Sequence, residues 1–173
     1  IGTKEQFGHL VELMGLPHFW GERTGDRTLL EINQYGALNG HIPISAILAA
    51  AGSVVAILTG YRDVVVSNEA SANEPTLVYE NVEINHQYSK SSEFEADFQA
   101  QLKRNFGDSI RYYSLLRSFS ELRIAELFAN KRLEKYKEVF SSCNRAFTHD
   151  SHGMFWCGAC PKCAFVLLGL SRV

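Results

Sequence analysis

The sequence predicts a helix-rich α/β fold that contains part of a parallel sheet and carries a four-cysteine metal site near its C-terminal end. Three observations predict it. Amphipathic helical stripes alternate along the chain with short β-branched runs, the pattern of strands joined by helical crossovers. An apolar run at 42–61 begins on Pro43 and stops at Gly60, the punctuation of a core helix. All four cysteines fall within 143–163. With 173 residues, 46% of them hydrophobic, the chain can bury one core, so it reads as one α/β domain or as the C-terminal part of a larger one.

Residues 4–14 place Phe7, Leu10, Val11 and Met14 at helical spacing and predict a short amphipathic helix. After a Gly-Pro loop, a second short helix is expected over 28–35, and a turn at 36–41 leads Asn39-Gly40-His41 into the helix begun by Pro43. The 42–61 run is the one candidate for a membrane span. Ser45, Gly52 and Ser53 interrupt it, so it is expected to be a buried core helix, with no membrane association.

Residues 62–67 (Arg-Asp-Val-Val-Val-Ser) read as a buried strand. The strand gives way to a polar run, Asn68-Glu69-Ala70-Ser71, that opens a long loop to about 85, a candidate lid. Ser92-Glu93-Phe94-Glu95 has the form of a capping box and starts a helix with Phe94, Phe98 and Leu102 on its apolar stripe. A second strand is expected over 110–116. Ser118-Phe119-Ser120-Glu121 then offers another capping box, for a helix containing Leu122, Ala125 and Phe128. Helices over 133–140 and 160–170 flank the cysteine loop.

In Cys157-Gly158-Ala159-Cys160-Pro161-Lys162-Cys163, two intervening residues let the backbone turn and aim successive thiolates at one centre, and Cys143 can complete a tetrahedral set. Four thiolates leave no open coordination position, which implies structural zinc rather than zinc chemistry. An iron-sulfur cluster also suits C-x2-C-x2-C, although Leu167 stands where a ferredoxin run has its next cysteine. Disulfides are the third reading. His149 and His152 lie in the same loop as substitute ligands. No basic and apolar leader opens the chain, so no signal peptide is expected, and the reduced thiols of a metal site imply the cytoplasm.

Several polar runs sit where α/β proteins bind ligands, and each has an ordinary structural alternative. Asn85-His86-Gln87-Tyr88-Ser89-Lys90-Ser91 precedes a helix N-terminus, which suits phosphate or carboxylate, or a solvated capping loop. Asn68, Glu69 and Ser71 follow a strand, so they can hold a Mg2+-bound nucleotide or cap a turn. Asn39 and His41 face the same choice between ligand and turn chemistry. Arg117 follows the second strand and can fork onto a carboxylate or phosphate, while Glu121 reads as the capping partner of Ser118. No G-x-x-x-x-G-K-[ST] loop or G-x-S-x-G elbow occurs. A net charge of −2 with scattered lysines and arginines argues against a nucleic-acid partner.

Taken in order, the Asn39-Gly40-His41, Val66-Ser67-Asn68-Glu69, Asn85-His86-Gln87-Tyr88-Ser89-Lys90, Leu115-Leu116-Arg117 and Trp156-Cys157-Gly158 to Cys163 motifs resemble the UDP-N-acetylmuramoyl-L-alanyl-L-glutamate epimerases, the MurL family. The resemblance runs from Leu30 onward; Ser118 departs from it where proline is expected. It implies a relationship to the PP-loop ATP pyrophosphatases, an adenine nucleotide α-hydrolase-like sheet, and an upstream phosphate loop that this chain does not contain. The chain therefore reads as beginning after that loop.

The implied reaction inverts the terminal L-Glu of UDP-MurNAc-L-Ala-L-Glu to D-Glu through an acyl-adenylate, in peptidoglycan precursor synthesis, with ATP and Mg2+ as co-substrate and cofactor. The candidate acid and base are His86 and His41, with Tyr88 as a substitute. Asn39, Asn68, Glu69, Ser71, Asn85, Lys90 and Arg117 are candidates for substrate and nucleotide binding. Competing readings are an ATP-dependent amidating or ligating relative and a non-enzymatic zinc-stapled interaction module.

Overall fold

The computed structural model of the chain describes residues 4–26, 28–37, 42–147 and 155–171. Asn39, His41, His149 and His152 lie outside the described residues. The chain divides into two compact units, one of residues 31–121 and the other of residues 1–30 with 122–173.

In the first unit, helix α3 (Ile44–Thr59) leads into strand β1 (Asp63–Val66), and helix α4 (Ser92–Phe106) leads into strand β4 (Arg111–Ser114). The two strands pair in parallel, Asp63 opposite Arg111 and Val66 opposite Ser114. Side chains alternate across a strand. Val64 and Val66 share a face with Tyr112 and Ser114, and this face receives Ala49, Ala56, Leu102, Phe94 and Phe98 from the helices. On the opposite face Val65 is exposed, beside an Arg111–Asp63 ion pair of 2.8 Å.

The expected buried strand is therefore only half-buried, and on one face. Helix α3 corrects the reading of 42–61 in the same way. Its small residues Ala49, Ser53 and Ala56 are buried, while Leu48, Val55 and Leu58 are exposed. Small side chains on one stripe let the helix axis approach the sheet closely. A Cβ added at Gly52 would come within 3.2 Å of Val64 Cγ1.

The segment expected to be a long loop to residue 85 is instead folded. A 3-10 turn at Ala70–Asn73 precedes an antiparallel hairpin of β2 (Leu77–Tyr79) and β3 (Val82–Ile84). Glu80 and Asn81 both take positive φ, 49° and 64°, which the tight two-residue turn requires. A second 3-10 turn, Tyr88–Lys90, leads to α4. The helix is capped one residue earlier than expected: Ser91 accepts from Phe94 N at 3.1 Å, so Ser92 already lies in the first turn and no Ser-x-x-Glu box forms.

In the second unit, α1 (Lys4–Met14) and α2 (Thr28–Glu31) fall where periodicity expected helix. Helix α5 (Glu121–Lys131) starts at Glu121, too late for Ser118 to cap it. Helix α6 (Leu133–Tyr136) stops four residues short of the expected end, and α7 (Pro161–Leu170) packs Gly169 against Ala125 of α5. No helix among the described residues is long and apolar enough to cross a membrane.

Candidate functional site

The four cysteines converge. Cys160 caps α7, its sulfur accepting from Cys163 N at 3.4 Å, and Pro161 occupies the first turn where no amide hydrogen is needed. Gly158 takes φ +69°, so the chain doubles back and Ala159 N points at Cys157 Sγ, 3.4 Å away. Cys143 arrives from upstream, where Ser141 Oγ donates to the Phe155 carbonyl at 2.6 Å and accepts from Cys143 N at 3.1 Å. Trp156 packs against the cluster and is held edge-on by Phe140, which in turn meets Phe128.

A tetrahedral ion with metal–sulfur bonds of about 2.3 Å sets its sulfurs about 3.8 Å apart. Cys160 Sγ lies 3.4 Å from Cys163 Sγ and 4.0 Å from Cys143 Sγ, and Cys157 Sγ lies 3.8 Å from Cys163 Sγ. All four sulfurs fall within 4.8 Å of one another. This is room for a single metal ion such as zinc. The amide of Cys163 pulls the Cys160 thiol down to about 6 against the effect of burial. Burial pushes Cys163 up to about 11. Burial alone would raise Cys143 too, but the amides of Cys157, Arg145 and Ala146 directed at its sulfur bring it below the ordinary thiol value. Amide donors aimed at sulfur favour thiolate, the form that binds metal.

In the unit of residues 31–121, the carboxyl ends of β1 and β4 open into a cleft of about 520 Å3. Ser45 and Leu48 of α3, Ser67 and Asn68 after β1, and Leu115 and Leu116 after β4 line it, together with Tyr112. Burial raises the Tyr112 phenol, the Glu95 charge adds to this, and Asn68 hydrogen-bonds to it. Ser114 Oγ donates to the Asn68 carbonyl at 2.6 Å and fixes the strand end.

Of the residues singled out from sequence, Asn68 lines this cleft; Glu69, Ser71, Asn85, His86, Tyr88, Lys90 and Arg117 do not. Four of them, Glu69, Asn85, Lys90 and Arg117, belong instead to one hydrogen-bond network. The Arg117 guanidinium donates to the Glu69 carbonyl (3.1 Å), the Lys90 carbonyl (2.7 Å) and the Glu95 carboxylate (3.0 Å). Its Nε is buried without a partner among the described residues. Asn85 Nδ2 donates to the Ala72 carbonyl at 2.9 Å while its Oδ1 accepts from Gln87 N at 2.8 Å. Lys90 Nζ donates to Gln87 Oε1 at 2.7 Å. Ser71 accepts through its carbonyl from Glu74 N at 3.1 Å.

Tyr88 donates to Asp97 Oδ2 at 3.3 Å; burial raises its phenol, and the charges of Glu93 and Asp97 add to that, so it keeps its proton to higher pH. His86 is exposed, with Nδ1 3.1 Å from Thr76 Oγ1. Sequence reasoning missed Thr76, Glu95, Tyr112 and Ser45. Glu95 lies 22 residues from Arg117 along the chain, and no local spacing pairs them.

The MurL N-terminal domain family matches residues 1–115, and the MurL C-terminal domain family matches residues 139–173, which include all four cysteines. Three curated relatives carry the name UDP-N-acetyl-alpha-D-muramoyl-L-alanyl-L-glutamate epimerase. The Micromonospora sp. protein is 44% identical over 160 residues, 92% of this chain and 35% of the relative. The Salinispora tropica protein is 43% identical over 157 residues, 91% and 34% of the two chains. The Xanthomonas oryzae pv. oryzae protein is 41% identical over 173 residues, 99% and 38%. The chain thus spans a little over a third of the length of the curated relatives it matches. No solved structure matches it. With one family covering both parallel strands and nearly all of the strand-end cleft, and the companion family covering the cysteine cluster, the chain belongs to the MurL family.

Proposed function

We propose that the chain is part of an ATP-dependent epimerase that inverts the terminal L-Glu of UDP-MurNAc-L-Ala-L-Glu to D-Glu in the cytoplasm. The observation that carries this reading is membership of the MurL family, together with relatives named for that epimerisation. A cleft at the carboxyl ends of parallel strands supports it physically, because that is where open α/β sheets take ligands. The PP-loop relationship belongs to the same proposal.

The chemistry explains why ATP is needed. An ionised carboxylate makes its α-proton very hard to remove, and adenylation removes that negative charge. A base can then take the α-proton to give an enolate-like species, and inversion requires a proton returned from the opposite face. In this reading His86 and His41 are the base and acid, with Tyr88 as a substitute. Asn39, Asn68, Ser71, Asn85 and Lys90 serve the nucleotide and the peptide carboxylates. Glu69 is the carboxylate for Mg2+, which when bound neutralises phosphate charge.

Arg117 contributes to this site by tying the chain around Glu69 to that around Lys90. We assign the cysteine site to structural zinc, held by Cys143, Cys157, Cys160 and Cys163 and supplying no chemistry to the reaction. The test is product analysis with the full-length protein, ATP and Mg2+. AMP and pyrophosphate should appear only when the UDP-linked dipeptide is present, and Asn68→Ala should slow their release at least about tenfold, as loss of a positioning contact does. Release of ADP and phosphate, or ATP turnover indifferent to the dipeptide, would contradict the reading.

A further inference from the structure

The register of the β2–β3 hairpin brings the residues just outside it together. Leu77 pairs with Ile84, so Thr76 faces the chain at 84–86. Thr76 N donates to the Ile84 carbonyl at 2.9 Å, extending the ladder by one bond. The Thr76 hydroxyl meets three groups: the Ile84 carbonyl at 3.1 Å, the His86 backbone N at 3.4 Å and His86 Nδ1 at 3.1 Å.

A hydroxyl has one hydrogen and two acceptor lone pairs. The Ile84 carbonyl can only accept and the His86 amide can only donate. The hydrogen is therefore committed to Ile84, and the oxygen lone pairs face His86. Nδ1 completes this arrangement only as N–H. In the other tautomer, a lone pair on Nδ1 would face a lone pair on oxygen, or the Ile84 bond would be given up.

We propose that Thr76 is a positioning residue that holds neutral His86 in its Nδ1–H tautomer, keeping the lone pair on Nε2, the nitrogen that then takes the α-proton of the substrate. The proposal rests on the reading of His86 as a base given above. In that step the C–H bond breaks, a new N–H bond forms at Nε2, and the electron pair left on carbon passes into the adjacent acyl carbonyl. The resulting imidazolium keeps its Nδ1–H bond to Thr76, so no hydrogen bond is lost as charge develops. Asn85, the residue before His86, is itself fixed: its side chain donates to the Ala72 carbonyl and accepts from Gln87 N.

The experiment is 15N NMR of the ring nitrogens in the chain labelled with 15N-histidine, with His86→Gln assigning the resonances. The Nδ1–H tautomer should dominate at His86. Thr76→Val should move the population to the Nε2–H tautomer, and Thr76→Ser should restore the original state. A dominant Nε2–H tautomer in the unaltered chain, or no change in Thr76→Val, would overturn the proposal. In the full-length enzyme, Thr76→Val should slow deuterium exchange at the glutamyl α-carbon about 100-fold with KM little changed, as loss of a general base does, and Thr76→Ser should recover most of the rate. A tautomer that moves while exchange does not would instead reject His86 as the base and leave the tautomer control by Thr76 standing.

Discussion

Arg117 looks in sequence like a ligand-binding arginine after a strand, yet its guanidinium is occupied by two carbonyls and a carboxylate of its own unit. Arg117 and Glu95 are about four-fifths buried, their side chains 18% and 20% exposed. Removing one partner of such a pair leaves the other charge poorly solvated. Arg117→Met should therefore destabilise the chain by about 2–4 kcal/mol in urea unfolding, slightly discounted from a fully buried pair. Glu95→Gln keeps the shape and should cost less. The cysteines are the opposite case: C-x2-C-x2-C acts locally and makes the convergence of Cys157, Cys160 and Cys163 legible from spacing, while Cys143 joins them from 14 residues upstream. Cys160→Ser should reduce metal content from about one zinc per chain to well below that, and chelation of the unaltered chain should speed hydrogen exchange through residues 141–163. Two or more irons with visible absorbance would contradict the zinc assignment.

Among the elements, positions were more legible than burial. Periodicity places α3, α4 and both parallel strands, because those signals are local. It misjudges α3's buried face, since close packing on β1 selects Ala49, Gly52, Ser53 and Ala56 over the larger apolar residues. Gly52→Val should accordingly destabilise the fold by about 1–3 kcal/mol despite valine's greater hydrophobicity, through collision with Val64. The capping sequence at α4 was displaced by one residue, because Ser91 and Ser92 are equivalent in a pattern but only Ser91 has the extended backbone of a cap. Ser91→Ala should lower stability by about 1 kcal/mol and Ser92→Ala by much less, measured by thermal unfolding. The hairpin escaped notice because its turn is Glu80-Asn81, without the Asn-Gly or Asp-Gly dipeptide that marks such turns.

At the scale of the whole chain, the sequence spans a little over a third of the length of its curated relatives, so its activity is tested in the full-length protein. The metal site belongs to one unit and the strand-end cleft to the other. The family motifs were legible because they are contiguous, whereas the networks that support them join residues from distant parts of the sequence. The most direct test of the central claim is deuterium incorporation by the full-length protein, given ATP, Mg2+ and the UDP-linked L-Ala-L-Glu dipeptide in D2O. The account predicts ATP-dependent appearance of deuterium at the glutamyl α-carbon together with the D-Glu product; adenylate formation without α-exchange would contradict it.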